Sequence, residues 1–277
     1  MFYGKKGDTF AYAMNHMLAV NHMQEIPYVN AISGRSFGLY CRGGVNQWFR
    51  TSVSCEEAVI SLNQGVYEGH DQMKVRNARY MDADALCRIA KKGCVVGPVS
   101  TIAAIPHLKY ELYHGIEQYV VCYLADPAYI CVNIPAGIPL YYQKIAEWLE
   151  LIQREEAYVI WNSSINIHEN KYDWKGILKK GLDLHKKTAQ KTAGYTIAYS
   201  GKSSEHAGLH MALDYYVLCM AEICEMIEQY CGDRIDQGYL HRWAHRIHDI
   251  KYTQDVGQIR KLDKEFWEYL YELVRYG

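Results

Sequence analysis

At 277 residues, 49% of them hydrophobic, the chain has enough apolar material for one large domain or two smaller ones, and 22% charge is unlike a disordered chain. With 30 Lys+Arg against 31 Asp+Glu, the formal net charge is -1. That balance argues against a nucleic-acid binder, whose surface must neutralise phosphates. The longest apolar runs are too short to cross a bilayer, and Met1–Asp8 lacks the apolar core of a secretion signal.

In chain order, Asp8 or Thr9 starts a helix running to about Asn21, with Phe10, Ala13, Met14, Met17 and Leu18 at helical spacing. Glycines in Ser33–Tyr40 and at Gly43-Gly44 predict turns around short strands. Cys55–Gln64 and Asp82–Lys92 read as helices, the second stopped by Gly93. A strand-rich centre follows, at Cys94–Val99, Tyr119–Leu124 and Tyr129–Ile134, with Asp126-Pro127-Ala128 as the turn between the last two. Helical character begins in the run from Tyr141 to Glu156. Beyond Asn170 the pattern predicts helices over Trp174–Ala193, Ser204–Cys231, Gln237–Ile250 and Gln254–Tyr276, with Ser203 or Ser204 as an N-cap. The nine cysteines form no CxxC pair and are odd in number, so they read as reduced, mostly buried thiols of a cytoplasmic protein.

Order and spacing in the first half point to one kind of site. Papain-like hydrolases place a nucleophile at the N-terminus of the first helix, where free N–H groups and the helix dipole favour a thiolate. A histidine opening a central strand is the base, and an Asn or Asp on the next strand orients it. The segment Asp8-Thr9-Phe10-Ala11-Tyr12-Ala13-Met14 resembles the papain pattern of Cys, aromatic, Ala, aromatic, small residue, with Thr9 in the cysteine position. It also resembles the Asp-Cys start of the peptidases that trim bacteriocin leaders. The histidine position falls at Gln118, ahead of Tyr119-Val120-Val121, and the orienting position fifteen residues later at Asn133.

Together with Ser33–Tyr40, Gly97-Pro98-Val99, Ile105-Pro106, Tyr113-His114 and the helical C-terminal half, these features are similar to the family of butirosin biosynthesis protein H. In that family an N-terminal papain-like domain transfers an acyl group from a carrier protein to an amine. The resemblance implies an α+β fold: a papain-like domain over 1–156, its N-terminal helix packed on a small antiparallel sheet, and a helical region over 157–277. It implies a small-molecule substrate and an acyl carrier protein as partner, and leaves homo-oligomer formation open.

Thr9 and Gln118 depart from the family's Cys and His. A threonine hydroxyl needs a base, and glutamine cannot be one. Two function classes follow. The first is an acyltransferase- or amidohydrolase-like enzyme of specialised-metabolite biosynthesis. In it Thr9 is nucleophile or donor, His114 a base swung in from four residues upstream, Gln118 and Asn133 orienting groups, and Phe10, Tyr12 and Tyr119 substrate contacts. The alternative is a catalytically inactive homologue that binds a ligand or partner protein in the retained cleft.

Elsewhere the signals are weaker. His206 and His210 are four apart, and His241, His245 and His248 lie at i, i+4 and i+7, with Glu205, Asp214 and Asp249 nearby. Imidazoles at that spacing suit a metal, but Arg242 and Arg246 beside the second set would repel a cation, and a polar helix face is the reading adopted; no metal is assigned. Gly34, Gly38, Gly43 and Gly44 match neither a phosphate loop nor a dinucleotide fingerprint, so no cofactor is expected.

Overall fold

A computed structural model describes residues 9–41, 49–64, 73–100, 117–133, 141–162, 172–195, 197–232 and 235–276. They are mixed helix and sheet and fall into two compact units, one within 1–29 and 54–172, the other within 30–53 and 173–277. The expected boundary at 156/157 therefore moves. The strand at 158–162 belongs to the first unit, and 30–53 groups with the C-terminal helices.

The first unit is built on a six-stranded antiparallel sheet in the order β3-β8-β4-β5-β6-β7. Its strands are β3 (Met73–Asn77), β4 (Cys94–Ser100), β5 (Glu117–Leu124), β6 (Tyr129–Asn133), β7 (Tyr141–Lys144) and β8 (Tyr158–Asn162). The β5–β6 turn forms as its residues predict: Asp126 Oδ1 accepts from the N–H groups of Ala128 (2.7 Å) and Tyr129 (2.9 Å). β8 closes the centre, pairing Val159 with both Arg76 and Val96.

Two helices cover one face: α4 (Ala83–Ala90) and α5 (Ile145–Arg154). Leu86, Ala90, Trp148 and Ile152 pack there against Val96, Val120, Cys122, Ile130, Val132 and Val159, forming the unit's main apolar core. α4 starts where Asp82 accepts from the Ala85 N–H at 2.7 Å. α3 (Cys55–Asn63) starts with a reciprocal capping box between Ser54 and Glu57. The run from Tyr141 divides, giving β7 first and α5 after Lys144.

The other face receives α1 (Thr9–Val20), which buries Phe10, Ala13, Met14, Met17 and Leu18. Asn15 anchors the chain after the helix. Its Nδ2 donates to the Ile26 carbonyl at 3.0 Å, and its Oδ1 accepts the Ile26 N–H at 2.8 Å.

The second unit holds α6 (Trp174–Thr192), α7 (Ser203–Met226), α8 (Gln237–Thr253) and α9 (Gly257–Tyr276), with a two-stranded ribbon, β1 (Leu39–Tyr40) and β2 (Arg50–Thr51). α7 begins at Ser203, so Lys202 occupies the cap position and neither Ser203 nor Ser204 caps it. It runs into a π turn, Ile227–Cys231, ended by Gly232 at φ 82°. Phe37, Tyr216, Trp243, Phe266 and Trp267 fill the interior. Glu222 of α7 is buried where its carboxylate accepts the N–H groups of Asn30 (2.9 Å) and Ala31 (3.1 Å), at the start of the short α2 (Val29–Ile32).

Candidate functional site

α1 and β5 make the seam in which the expected site falls. Thr9 is the first residue of α1, and its Oγ1 accepts the Tyr119 backbone N–H at 3.0 Å. The next pair along the seam is Phe10 against Tyr119, edge to face, with centroids 4.9 Å apart. Further on, His16 lies 5.6 Å from the Tyr12 ring and 6.0 Å from the Tyr123 ring. Burial lowers the pKa of His16 and raises that of Tyr123, so both are neutral at neutral pH.

Thr9 thus ties the helix start to the strand. Among the described residues no imidazole or carboxylate hydrogen-bonds to it. His16 cannot do so from its own helix, since seven residues separate the two by about 10 Å along the axis. His114 lies outside the described residues.

Strand geometry separates the other expected members. Tyr119 and Tyr123 touch α1, and side chains alternate along a strand, so Gln118, Val120 and Cys122 project to the α4/α5 face. There Gln118 is buried, and its Oε1 has no hydrogen-bond partner among the described residues. Asn133 pairs with Val121, which puts it on the α1 face and about 10 Å along the sheet from Gln118. Thr9 and Asn133 therefore share a face that Gln118 does not.

The expected substrate contacts are only partly open. Phe10 is 1% exposed and Tyr119 6%, so both are core residues, while Tyr12 is half-buried. Gly97 in β4 is what admits Tyr119. A Cβ there would lie 2.6 Å from Tyr119 Cδ1 and 2.9 Å from the Gln118 carbonyl.

None of the nine cysteines forms a disulfide and seven are buried; burial drives the Cys122 thiol well above its ordinary pKa and Cys41 up to about 12. Neither of these two is thereby prepared as a thiolate. Among the described residues no group of three or more His, Cys, Asp or Glu is arranged to hold a metal, and no helix is long and apolar enough to cross a membrane.

Sequence reasoning missed a polar cluster inside the second unit. Asp263 of α9 accepts from the Tyr216 hydroxyl and from Trp267 Nε1 (2.9 Å). Burial outweighs those bonds and raises its pKa to about 6. His185 stacks on Trp267 with centroids 3.7 Å apart, and its Nδ1 lies 2.9 Å from the Tyr271 hydroxyl. That hydroxyl donates to the Leu182 carbonyl at 3.0 Å, so the imidazole supplies the proton to it. Burial holds His185 down to about 4. The available signal was Asp263 lying on the apolar stripe of Ile259, Leu262, Phe266 and Leu270.

Comparison with family models, curated proteins and solved structures finds no match to this chain.

Proposed function

We propose that the chain is a catalytically inactive relative of the papain-like acyltransferases that binds a small acyl-bearing or amine ligand beside the α1–β5 seam. The observation that carries this reading is the occupation of Thr9: its oxygen is engaged by the Tyr119 N–H. A helix start used to fasten a strand has become structural, and the glutamine in the family's base position projects to the opposite face of the sheet. The row Tyr12, His16 and Tyr123 then gives a partly open aromatic wall, suited to an uncharged acyl chain.

The enzyme reading keeps one support, which is that a threonine accepting through its oxygen still has a proton to give. A single experiment separates the two. The full chain is incubated with an acyl N-acetylcysteamine thioester and a small primary amine, thiol release is followed, and amide-resolved NMR records binding. We expect no release above buffer for wild type or Thr9→Ala, and shifts in the α1 and β5 amides on adding the thioester. Turnover that Thr9→Ala abolishes would establish the enzyme. Absence of any shift at saturating probe would remove the binding site.

A further inference from the structure

α8 displays His241, His245 and Asp249 at successive i, i+4 positions on its exposed side, with His248 beside them. Spacing alone leaves open which of these meet. Two do: Nε2 of His245 lies 3.1 Å from Nε2 of His241, with ring centroids 4.4 Å apart and the ring planes at 81°. His248 instead turns its ring against Tyr252, with centroids 5.1 Å apart. The other pair on the neighbouring helix differs. His210 Nε2 lies 3.1 Å from the Lys251 carbonyl, and His206 Nδ1 lies 3.2 Å from Gln254 Nε2. Those nitrogens already have partners within the protein.

Two nitrogens converging on an exposed helix face can be explained by one N–H···N bond, with one ring donating and the other accepting. A shared cation also explains the approach of the two nitrogens. Zn–N bonds run about 2.0–2.1 Å, and two such bonds to nitrogens 3.1 Å apart subtend about 98° at the ion, between the octahedral and tetrahedral angles. The two neighbouring guanidiniums lie close to carboxylates. Arg246 Nη1 pairs with Glu265 at 2.7 Å, and Arg242 Nη2 lies 3.9 Å from Asp236. Each adjacent guanidinium has a carboxylate at hand, and Asp249, one turn beyond His245, adds a negative charge to the same side of the helix.

We propose that His241 and His245 form a two-histidine chelate on α8 for a late first-row divalent cation, Zn²⁺, Ni²⁺ or Cu²⁺, with water in the remaining positions. Imidazole nitrogen selects these over Mg²⁺ and Ca²⁺, which require oxygen. A site with two protein ligands leaves most of the coordination sphere open, so the bound ion can accept a further ligand from solution.

The test is calorimetric titration of the full chain with ZnCl₂ and NiCl₂, with Cu²⁺ electron paramagnetic resonance as a structural readout. Wild type should take up an ion that His241→Ala and His245→Ala each bind more than about tenfold less tightly, since even loss of an outer-shell partner reaches that scale. The copper spectrum should show coupling to two imidazole nitrogens, reduced in either variant. His206→Ala and His210→Ala should leave both readouts unchanged, and MgCl₂ should give no binding heat. Both side chains are exposed, so the variants should fold. Titration curves and copper spectra of His241→Ala and His245→Ala that match wild type would overturn the site, as would equal loss in His206→Ala.

Discussion

Replacing Gly97 with alanine probes the α1–β5 seam without touching Thr9. The added methyl would sit 2.6 Å from Tyr119 Cδ1, 2.9 Å from Tyr119 Cγ and 2.9 Å from the Gln118 carbonyl oxygen. All three are closer than real Cβ contacts allow, and one is backbone within the β4–β5 pairing. Tyr119 is itself 6% exposed and packs edge to face with Phe10, which is 1% exposed, so the ring has little room to yield. Overpacking of this kind costs about 1–3 kcal/mol. Relief of glycine's extra chain entropy in a strand returns about 0.5–1 kcal/mol. The net expectation is destabilisation of about 0.5–2 kcal/mol, concentrated at Tyr119, whose N–H is bonded to Thr9. Hydrogen exchange read on peptides spanning 117–124 should therefore speed up by about two- to thirtyfold, with a lower urea midpoint. Unchanged or slower exchange in Gly97→Ala, with an unshifted midpoint, would refute the close packing of β4 on Tyr119 and with it this account of the seam.

Thr9→Val keeps the side-chain shape but removes the acceptor, leaving the Tyr119 N–H without its partner. Urea denaturation should show a loss of about 1–3 kcal/mol, and Thr9→Ser should retain most of the stability. Gly181→Ala in α6 would place a methyl 2.5 Å from the fully buried Phe37 ring. The overpacking cost of about 1–3 kcal/mol should exceed the roughly 1 kcal/mol gain in helix propensity, so a thermal midpoint above wild type would count against that packing. Asp263, raised from 3.8 to about 6, favours the folded state below about 4, and that contribution is lost as pH rises through 6. His185, lowered from 6.5 to about 4, acts oppositely: its contribution is present above 6.5 and lost as pH falls through 4. Asp263→Asn leaves only the second effect. Between pH 6.5 and 4.5 the variant should lose stability relative to wild type, by roughly 2 kcal/mol. Parallel pH profiles would show that Asp263 does not titrate in this window.

Much of the fold was legible locally. The α1 stripe, the Asp82 start of α4, the Asp126 turn and α6 all appear within two residues or so of their expected bounds; α7 gives up its last five residues to the π turn, and α8 and α9 differ by three residues at one end. These features are written in neighbouring residues, as a 3.6-residue apolar repeat, a cap or a turn side chain, and so need no partner to be read. β7 was not separated from α5, because four residues of Tyr141–Lys144 carry too short a pattern to compete with the helix that follows.

What the tertiary structure alone decided concerns pairings between distant segments. β8 between β3 and β4, and residues 30–53 with the C-terminal helices, join positions more than sixty residues apart, and no local periodicity encodes that. The candidate site divides the same way. By itself the sequence determined that a threonine opens the first helix and a glutamine lies at the start of a central strand. Only the sheet register placed Gln118 and Asn133 on opposite faces, and only the rotamers on α8 joined His241 to His245 while sending His248 to Tyr252. Side-chain identity is a property of one position, whereas a site is a property of distances, and those are fixed by packing between elements.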